Sequence, residues 1–195
     1  MYIIPIGVDC GMAEFLKKYN LRNIAFPFDW TVTYNGISKC VDDNFKNFTE
    51  PLYNRVNKYD IYFFHDFKNN VLLNKDKEKY IRRCQRLINI LETSTEEIIF
   101  CRKGHDCHHH YEHNEKYSNI TNDIDDVEKL DIILQNKYPQ LKYKIIVILV
   151  CGKCFNSNET YKSNSEKIDI YNIATPQPQT DFTICENLCR NIFKV

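Results

Sequence analysis

Short runs of apolar and β-branched residues recur along the chain, and each run is bounded by polar residues. Such runs are typical of strands, and a continuous run is typical of a strand that is buried on both faces of a sheet. They predict strands at 2–9, 59–67, 97–102, 144–150 and 167–173. The second run is rich in aromatic residues and ends at His65 and Asp66.

Between these runs, apolar residues recur every three or four positions, which is the spacing of an amphipathic helix. This spacing predicts helices just after Cys10, over 35–48, over 75–92, over 123–138 and at the C-terminal end. Because strands alternate with helices, we predict an α/β fold. It is a single three-layer domain with a mostly parallel sheet of about five strands, flanked by helices.

Length and charge restrict the class of protein. Residues 1–195 are enough to bury a core and are predicted to form one α/β domain, with a polar, His-rich loop at 103–122. Lys plus Arg and Asp plus Glu are balanced at 26 each, so the charge favours neither nucleic acid nor an anionic membrane. No apolar run is long enough to span a bilayer, and the N-terminus does not resemble a secretory signal. We expect a soluble, cytoplasmic protein that binds neither nucleic acid nor membrane.

The nine cysteines do not predict a disulfide framework. Their number is odd, most of them fall at apolar positions of predicted strands and helices, and no secretory signal precedes them. We therefore expect reduced thiols.

Reactive side-chain types follow four of the predicted strands. Cys10 comes after the first strand, His65 and Asp66 close the second, Arg102 closes the third, and Cys151 closes the fourth. In an open parallel sheet, functional groups gather beyond the carboxyl ends of the strands. We therefore expect these residues to meet at one edge of the sheet and to form the functional site.

Cys10 is the best candidate for a nucleophile. A thiol at a helix N-terminus lies close to unpaired N–H groups and to the positive end of the helix dipole, and both favour the thiolate. The amides that follow, beginning at Gly11, are candidate oxyanion donors. His65 is the candidate general base, with Asp66 or Asp29 as its orienting group. The alternative is that Cys10 is buried and inert and that His65 is an ordinary surface histidine.

Two further side chains are candidates for binding a substrate. Trp30 belongs to an aromatic block that is suited to form one wall of a pocket, although such a block more often closes one end of a core. Arg102, at a strand end, is suited to bind a carboxylate or a phosphate, with a structural ion pair as the alternative.

Several short motifs lie between residues 7 and 102 of the chain. They are Gly7-x-x-Cys10-x-x-Ala13, Leu21-Arg22, Phe26-Pro27-Phe28-Asp29-Trp30, His65-Asp66 and Phe100-x-Arg102. Together they resemble the family described as putative papain-like cysteine peptidases of unknown function, found in large DNA viruses and some bacteria. The resemblance implies that Cys10 is a nucleophile partnered by His65, and that a viral member would act in the host cytoplasm.

A histidine-rich segment supports a competing hypothesis. Residues 101–113 hold five of the six histidines, and the pair Cys151 and Cys154 follows a later strand. Structural zinc needs four ligands in a tetrahedral array, and Cys107 and His105 with the cysteine pair would supply them. The spacing matches no standard zinc finger, so a solvated loop is the alternative. A redox role for the cysteine pair is disfavoured, because the residues after it do not predict a helix.

These observations favour a cysteine-dependent hydrolase or acyl-transfer enzyme. Its substrate would be a peptide, an ester or another acyl compound, and no cofactor is required by the reaction. The alternative is a non-catalytic interaction or zinc-binding protein that engages a host protein.

Overall fold

The structure, a computed structural model, describes residues 1–50, 52, 54–68, 73–105, 124–176 and 182–195. Within these ranges the side chains at 105, 153–154 and 182–184 are left out of the description. The strands run over Tyr2–Pro5 (β1), Ile98–His105 (β2), Tyr143–Cys151 (β3) and Ile168–Ala174 (β4). The helices run over Gly11–Lys18 (α1), Ile37–Asp42 (α2), Leu73–Thr93 (α3), Ile124–Lys137 (α4), Gly152–Ser157 (α5) and Phe182–Phe193 (α6).

The four strands form one parallel sheet, in which spatial neighbours follow the order of the chain. β3 has the most continuous apolar sequence, and it lies inside the sheet between β2 and β4. This placement is expected for a strand that is buried on both faces. The predicted α/β class and parallel sheet are confirmed, with four strands in the described ranges rather than about five.

Helices cover both faces of the sheet. Alternate residues of a strand point to opposite faces, so Phe100 and Val147 lie in one core and Cys101 and Ile148 lie in another. The first core includes buried residues of α3 and α4, and the second includes buried residues of α1 and α6. In the part of the chain that is described, no helix has the length and apolar character needed to cross a membrane.

The prediction of a strand at 59–67 is wrong. Among the described residues of this run, Tyr62 alone pairs, through isolated antiparallel bridges to Val32 and Val56. Asp60 has a φ of 63°, which is incompatible with a continuous strand. The apolar side chains of the run are nevertheless buried in the larger core, which explains the pattern in the sequence. The two residues that end the run therefore do not lie at an edge of the sheet.

The helix predicted at 35–48 is confirmed only in its first part, because α2 ends at Asp42. Asn44 and Phe45 have φ values of 55° and 59°, and this left-handed conformation does not continue an α-helix. Before the helix, Gly36 has a φ of 93°, a conformation that favours glycine.

Helix α5 was not expected, because the polar residues after β3 predict a loop. It begins directly after Cys151, which is its N-cap residue in an extended conformation. The argument that no helix follows Cys151 is therefore wrong.

Candidate functional site

Cys10 lies beyond the carboxyl end of β1, as the sequence predicts. Although β1 ends at Pro5, the amides of Ile6 and Val8 still donate to the carbonyls of Cys101 (2.9 Å) and Lys103 (3.2 Å). The chain therefore runs alongside β2 as far as the turn that contains Cys10. Cys10 is the N-cap residue of α1, and its side chain is partly exposed.

Charged side chains surround this turn. Asp9 Oδ1 accepts the amide N–H of Gly11 (2.8 Å), and Asp9 Oδ2 lies 3.5 Å from Lys103 Nζ. Lys103 is a buried lysine on β2. Glu14, one turn into α1, donates its amide to the carbonyl of Cys10 (2.9 Å). The sequence places Asp9 beside Cys10 at the strand end but indicates no role for it, and sequence reasoning missed Glu14 and Lys103, because neither belongs to a recognisable motif.

The thiol of Cys10 is protonated in the free chain. Burial, followed by the charges of Glu14 and Asp9, raises the pKa of the Cys10 thiol to about 11. The expectation that the start of α1 favours a thiolate is therefore wrong for the free chain, because burial and the charges of two carboxylates outweigh the backbone hydrogen bond that acts to lower the pKa of this thiol. The amide of Gly11, expected to be an oxyanion donor, is instead occupied by Asp9.

Arg102 is a structural residue and offers no surface to a substrate. Its side chain is fully buried, and its guanidinium donates to the carbonyls of Ile6 (2.7 Å), Thr33 (2.9 Å) and Tyr34 (2.8 Å). These contacts join β1 to the segment that follows Trp30. The prediction that Arg102 binds substrate is not supported, because its donors are used to hold the backbone.

Asp29 joins two of the short sequence motifs. Its Oδ2 accepts hydrogen bonds from the Arg22 guanidinium and from the amide of Phe26 (3.0 Å). Burial raises the pKa of Asp29 to about 6 although the charge of Arg22 acts to lower it, so the carboxylate is mostly ionised at pH 7. Arg22 also lies over the ring of Trp30, at 6.0 Å. Asp29 therefore holds the aromatic loop and does not contact His65.

His65 is exposed and packs against the aromatic loop. Its ring lies edge-on to that of Trp30, with centroids 5.7 Å apart. The next residue, Asp66, turns towards α3, where it pairs with Lys79 (2.5 Å) and accepts a hydrogen bond from the hydroxyl of Tyr80 (2.8 Å). Burial acts to raise the pKa of Asp66, but these hydrogen bonds outweigh it, so the pKa is lowered. Asp66 is therefore engaged elsewhere and does not orient His65.

The segments that carry Cys10 and His65 each contact the segment between Trp30 and Tyr34. Thr33 donates its amide to the carbonyl of Val8 (3.0 Å), and Val32 pairs with Tyr62. Val8, Val32 and Tyr62 also share a small hydrophobic cluster. Among the contacts of the described side chains, none joins Cys10 directly to His65.

The start of the chain also matches a known family. Residues 1–62 match the model of the family described as "Putative papain-like cysteine peptidase (DUF1796)". The resemblance noted in the sequence is thereby confirmed for these residues. The match includes Cys10, Arg22, Asp29 and Trp30, and it ends before His65. No curated protein and no solved structure matches the chain.

The proposed zinc ligands are not assembled by the described residues. Cys107 and the side chains of His105 and Cys154 lie outside the description. Cys151 is fully buried and disulfide-bonded, so it is not available as a thiolate ligand, and the prediction of a reduced thiol is wrong at this position. No group of three or more potential metal ligands occurs in the part of the chain that was described.

The prediction of reduced thiols is confirmed for the other described cysteines. These free cysteines are Cys10, Cys40, Cys84, Cys101, Cys185 and Cys189. All of them except Cys10 are buried. Cys10 is therefore the least buried residue of this set.

Proposed function

We propose that this chain is a cysteine-dependent hydrolase or acyl-transfer enzyme, with Cys10 as the nucleophile and a peptide or a related acyl compound as substrate. The position of Cys10 carries the proposal. This partly exposed residue stands at the start of α1, beyond the carboxyl end of a parallel strand, where enzymes of this fold class place reacting groups. The family description of residues 1–62 supports a peptide as the substrate.

A neutral thiol requires a general base during the attack. As the bond between Sγ and the carbonyl carbon forms, the thiol proton passes to His65, and the carbonyl electron pair moves to oxygen. The carbonyl then re-forms as the bond from its carbon to the leaving group breaks, and the same imidazole donates the proton to that leaving group. Water attacks the resulting thioester, and the bond between Sγ and the acyl carbon breaks to release the carboxylic acid and the Cys10 thiol. His65 is exposed and belongs to a loop with one isolated bridge to the segment beside Cys10, so substrate binding is proposed to bring the two groups together.

The first turn of α1 is proposed to stabilise the oxyanion. The first amides of a helix have no partner within the helix. Because Gly11 donates to Asp9, the following amides, those of Met12 and Ala13, are the candidates. Lys103 adds a buried positive charge on the neighbouring strand.

Turnover by single variants tests the proposal. The parent chain is assayed with fluorogenic peptide amides, 4-nitrophenyl esters and an acyl thioester, and acylated residues are mapped by mass spectrometry. Cys10→Ala is expected to abolish turnover, and His65→Asn is expected to reduce it by about 10²-fold to 10⁴-fold. Cys84→Ala, which removes a buried free thiol, is the matched control and should retain the parent rate.

Two results would overturn the proposal. One is turnover by Cys10→Ala at the parent rate. The other is the absence of both turnover and an acyl adduct on Cys10 with every substrate class in the panel.

A further inference from the structure

Lys103 is a buried charge close to the turn that carries Cys10. It lies on β2 with its side chain only 9% exposed. Lysine is almost never buried unless it is paired, because removing an ammonium group from water is unfavourable. The described partner is Asp9, whose Oδ2 lies 3.5 Å from Nζ.

Asp9 connects this lysine to the turn that carries the reactive sulfur. Its other oxygen, Oδ1, accepts the amide of Gly11 in the first turn of α1. The backbone also fixes the distance between the two strands, because Val8 donates its amide to the carbonyl of Lys103 (3.2 Å). One carboxylate therefore links β2, the turn and the start of α1, and Cys10 is the residue between Asp9 and Gly11 in the turn.

The charge of Asp9 is unfavourable for Cys10. Burial raises the pKa of the Cys10 thiol, and the charges of Glu14 and Asp9 raise it further, because a carboxylate near a thiol opposes its ionisation. Lys103 on β2 is the buried positive charge beside Asp9. On α6, burial raises the pKa of the Cys189 thiol to about 12, and the charge of Lys103 acts in the opposite direction.

We propose that Lys103 is a positioning residue for Cys10, which acts by holding the Asp9 carboxylate against the start of α1 and by neutralising its charge beside the sulfur. The inference rests on the proposed function only in taking Cys10 as the reacting group. The coupling among Lys103, Asp9 and Cys10 is measurable without any substrate.

Alkylation of Cys10 by iodoacetamide measures this coupling. The rate of modification at Cys10 is followed by mass spectrometry from pH 7 to pH 10 in the parent, Lys103→Met, Lys103→Arg, Asp9→Asn and the double variant. Below the thiol pKa, each unit of pKa changes the thiolate fraction tenfold, so Lys103→Met should slow the reaction about threefold to tenfold. Lys103→Arg should retain most of the parent rate, and Asp9→Asn should increase the rate.

The double variant decides whether Lys103 acts through Asp9. With Asn at position 9 there is no negative charge to neutralise, so adding Lys103→Met should change the alkylation rate little. An equal slowing by Lys103→Met in both backgrounds would overturn the proposal, because the lysine would then act on the sulfur directly. An unchanged rate in Asp9→Asn would overturn it as well, and this variant remains informative if Lys103→Met does not fold.

A lysine elsewhere in the sheet is the matched control. Lys144 on β3 pairs with Asp169 (3.3 Å), and Lys144→Met should leave the alkylation of Cys10 unchanged. Far-UV circular dichroism checks that each variant is folded. If Lys103→Met slows alkylation as expected but Cys10→Ala retains turnover, the proposed function fails and the present inference stands. If Cys10→Ala abolishes turnover but Lys103→Met does not slow alkylation, the proposed function stands and the present inference fails.

Discussion

Replacing Arg102 by methionine tests how the turn of Cys10 is held in place. The guanidinium is fully buried and donates to three backbone carbonyls, at 2.7 Å, 2.9 Å and 2.8 Å. Methionine has a similar length and fills much of the same space, but it leaves these carbonyls without their donor. The substitution therefore removes the hydrogen bonds with little change in packing.

The magnitude follows from two opposing effects. Each hydrogen bond to a charged group contributes about 1.5–3 kcal/mol to stability. Removing the charge also relieves the unfavourable desolvation of a buried cation, which is several kcal/mol. We expect Arg102→Met to lower the free energy of unfolding by about 3–5 kcal/mol, the range for breaking a buried charged contact.

Urea unfolding followed by circular dichroism measures this change. Arg82→Met is the matched control, because Arg82 is an exposed arginine on α3, and it should change the free energy of unfolding by no more than about 0.5 kcal/mol. Arg102→Lys should fall between the two variants, since an ammonium group cannot reach all three carbonyls with the same geometry. A loss below about 1 kcal/mol for Arg102→Met would refute the structural role given to this arginine.

Three other substitutions test parts of the fold. Burial raises the pKa of Asp29 from an ordinary 3.8 to about 6, so this carboxyl stabilises the folded state below pH 4 and loses that effect as the pH rises through 6. In urea unfolding, the parent should therefore lose stability over this pH range, and the free energy of unfolding of Asp29→Asn should rise by up to ~3 kcal/mol relative to that of the parent. Gly36→Ala should lose about 3 kcal/mol or more, because its Cβ would lie 2.1 Å from the carbonyl oxygen of Tyr59 at a φ of 93°; a loss near zero would contradict that geometry. Asp126 accepts hydrogen bonds from two amides at the start of α2, at 2.9 Å and 3.3 Å, so Asp126→Ala should lower the free energy of unfolding by about 2–4 kcal/mol. Asp125 is exposed, so Asp125→Ala should change this free energy little, and equal losses in the two variants would refute the capping role of Asp126.

The regular elements were predictable where the apolar pattern had one interpretation. The stripe over 75–92 became α3, and the apolar run at 144–150 became β3. The run at 59–67 shows the limit of this reasoning, because its alternation predicts which side chains are buried but not which strand, if any, they pair with. Its residues enter the core from an irregular segment held by Tyr62. Pairing depends on distant residues such as Val32, which a local pattern does not contain.

For the candidate site, the position of Cys10 was predictable and the electrostatics around it were not. Strand–helix alternation was enough to place Cys10 at the carboxyl edge of the sheet. The high pKa of its thiol depends on burial and on neighbouring carboxylates, and these depend on the folded chain. Lys103 meets Asp9 only because β2 lies beside β1, so no spacing in the sequence indicates the pair. The sequence also could not show that neither predicted partner orients His65. In the folded chain, Asp29 pairs with Arg22 and Asp66 pairs with Lys79.

Alkylation rates of the individual free thiols test most directly whether Cys10 is the accessible sulfur of this protein. The native chain is treated with limiting iodoacetamide at several pH values, and each cysteine is quantified by mass spectrometry. Cys10 should be modified before the five buried free thiols, and its rate should keep rising above pH 9 because burial and two carboxylates raise the pKa of this thiol to about 11. If Cys10 is modified no faster than those buried thiols while the protein remains folded, its sulfur is inaccessible and the catalytic role proposed for it is contradicted.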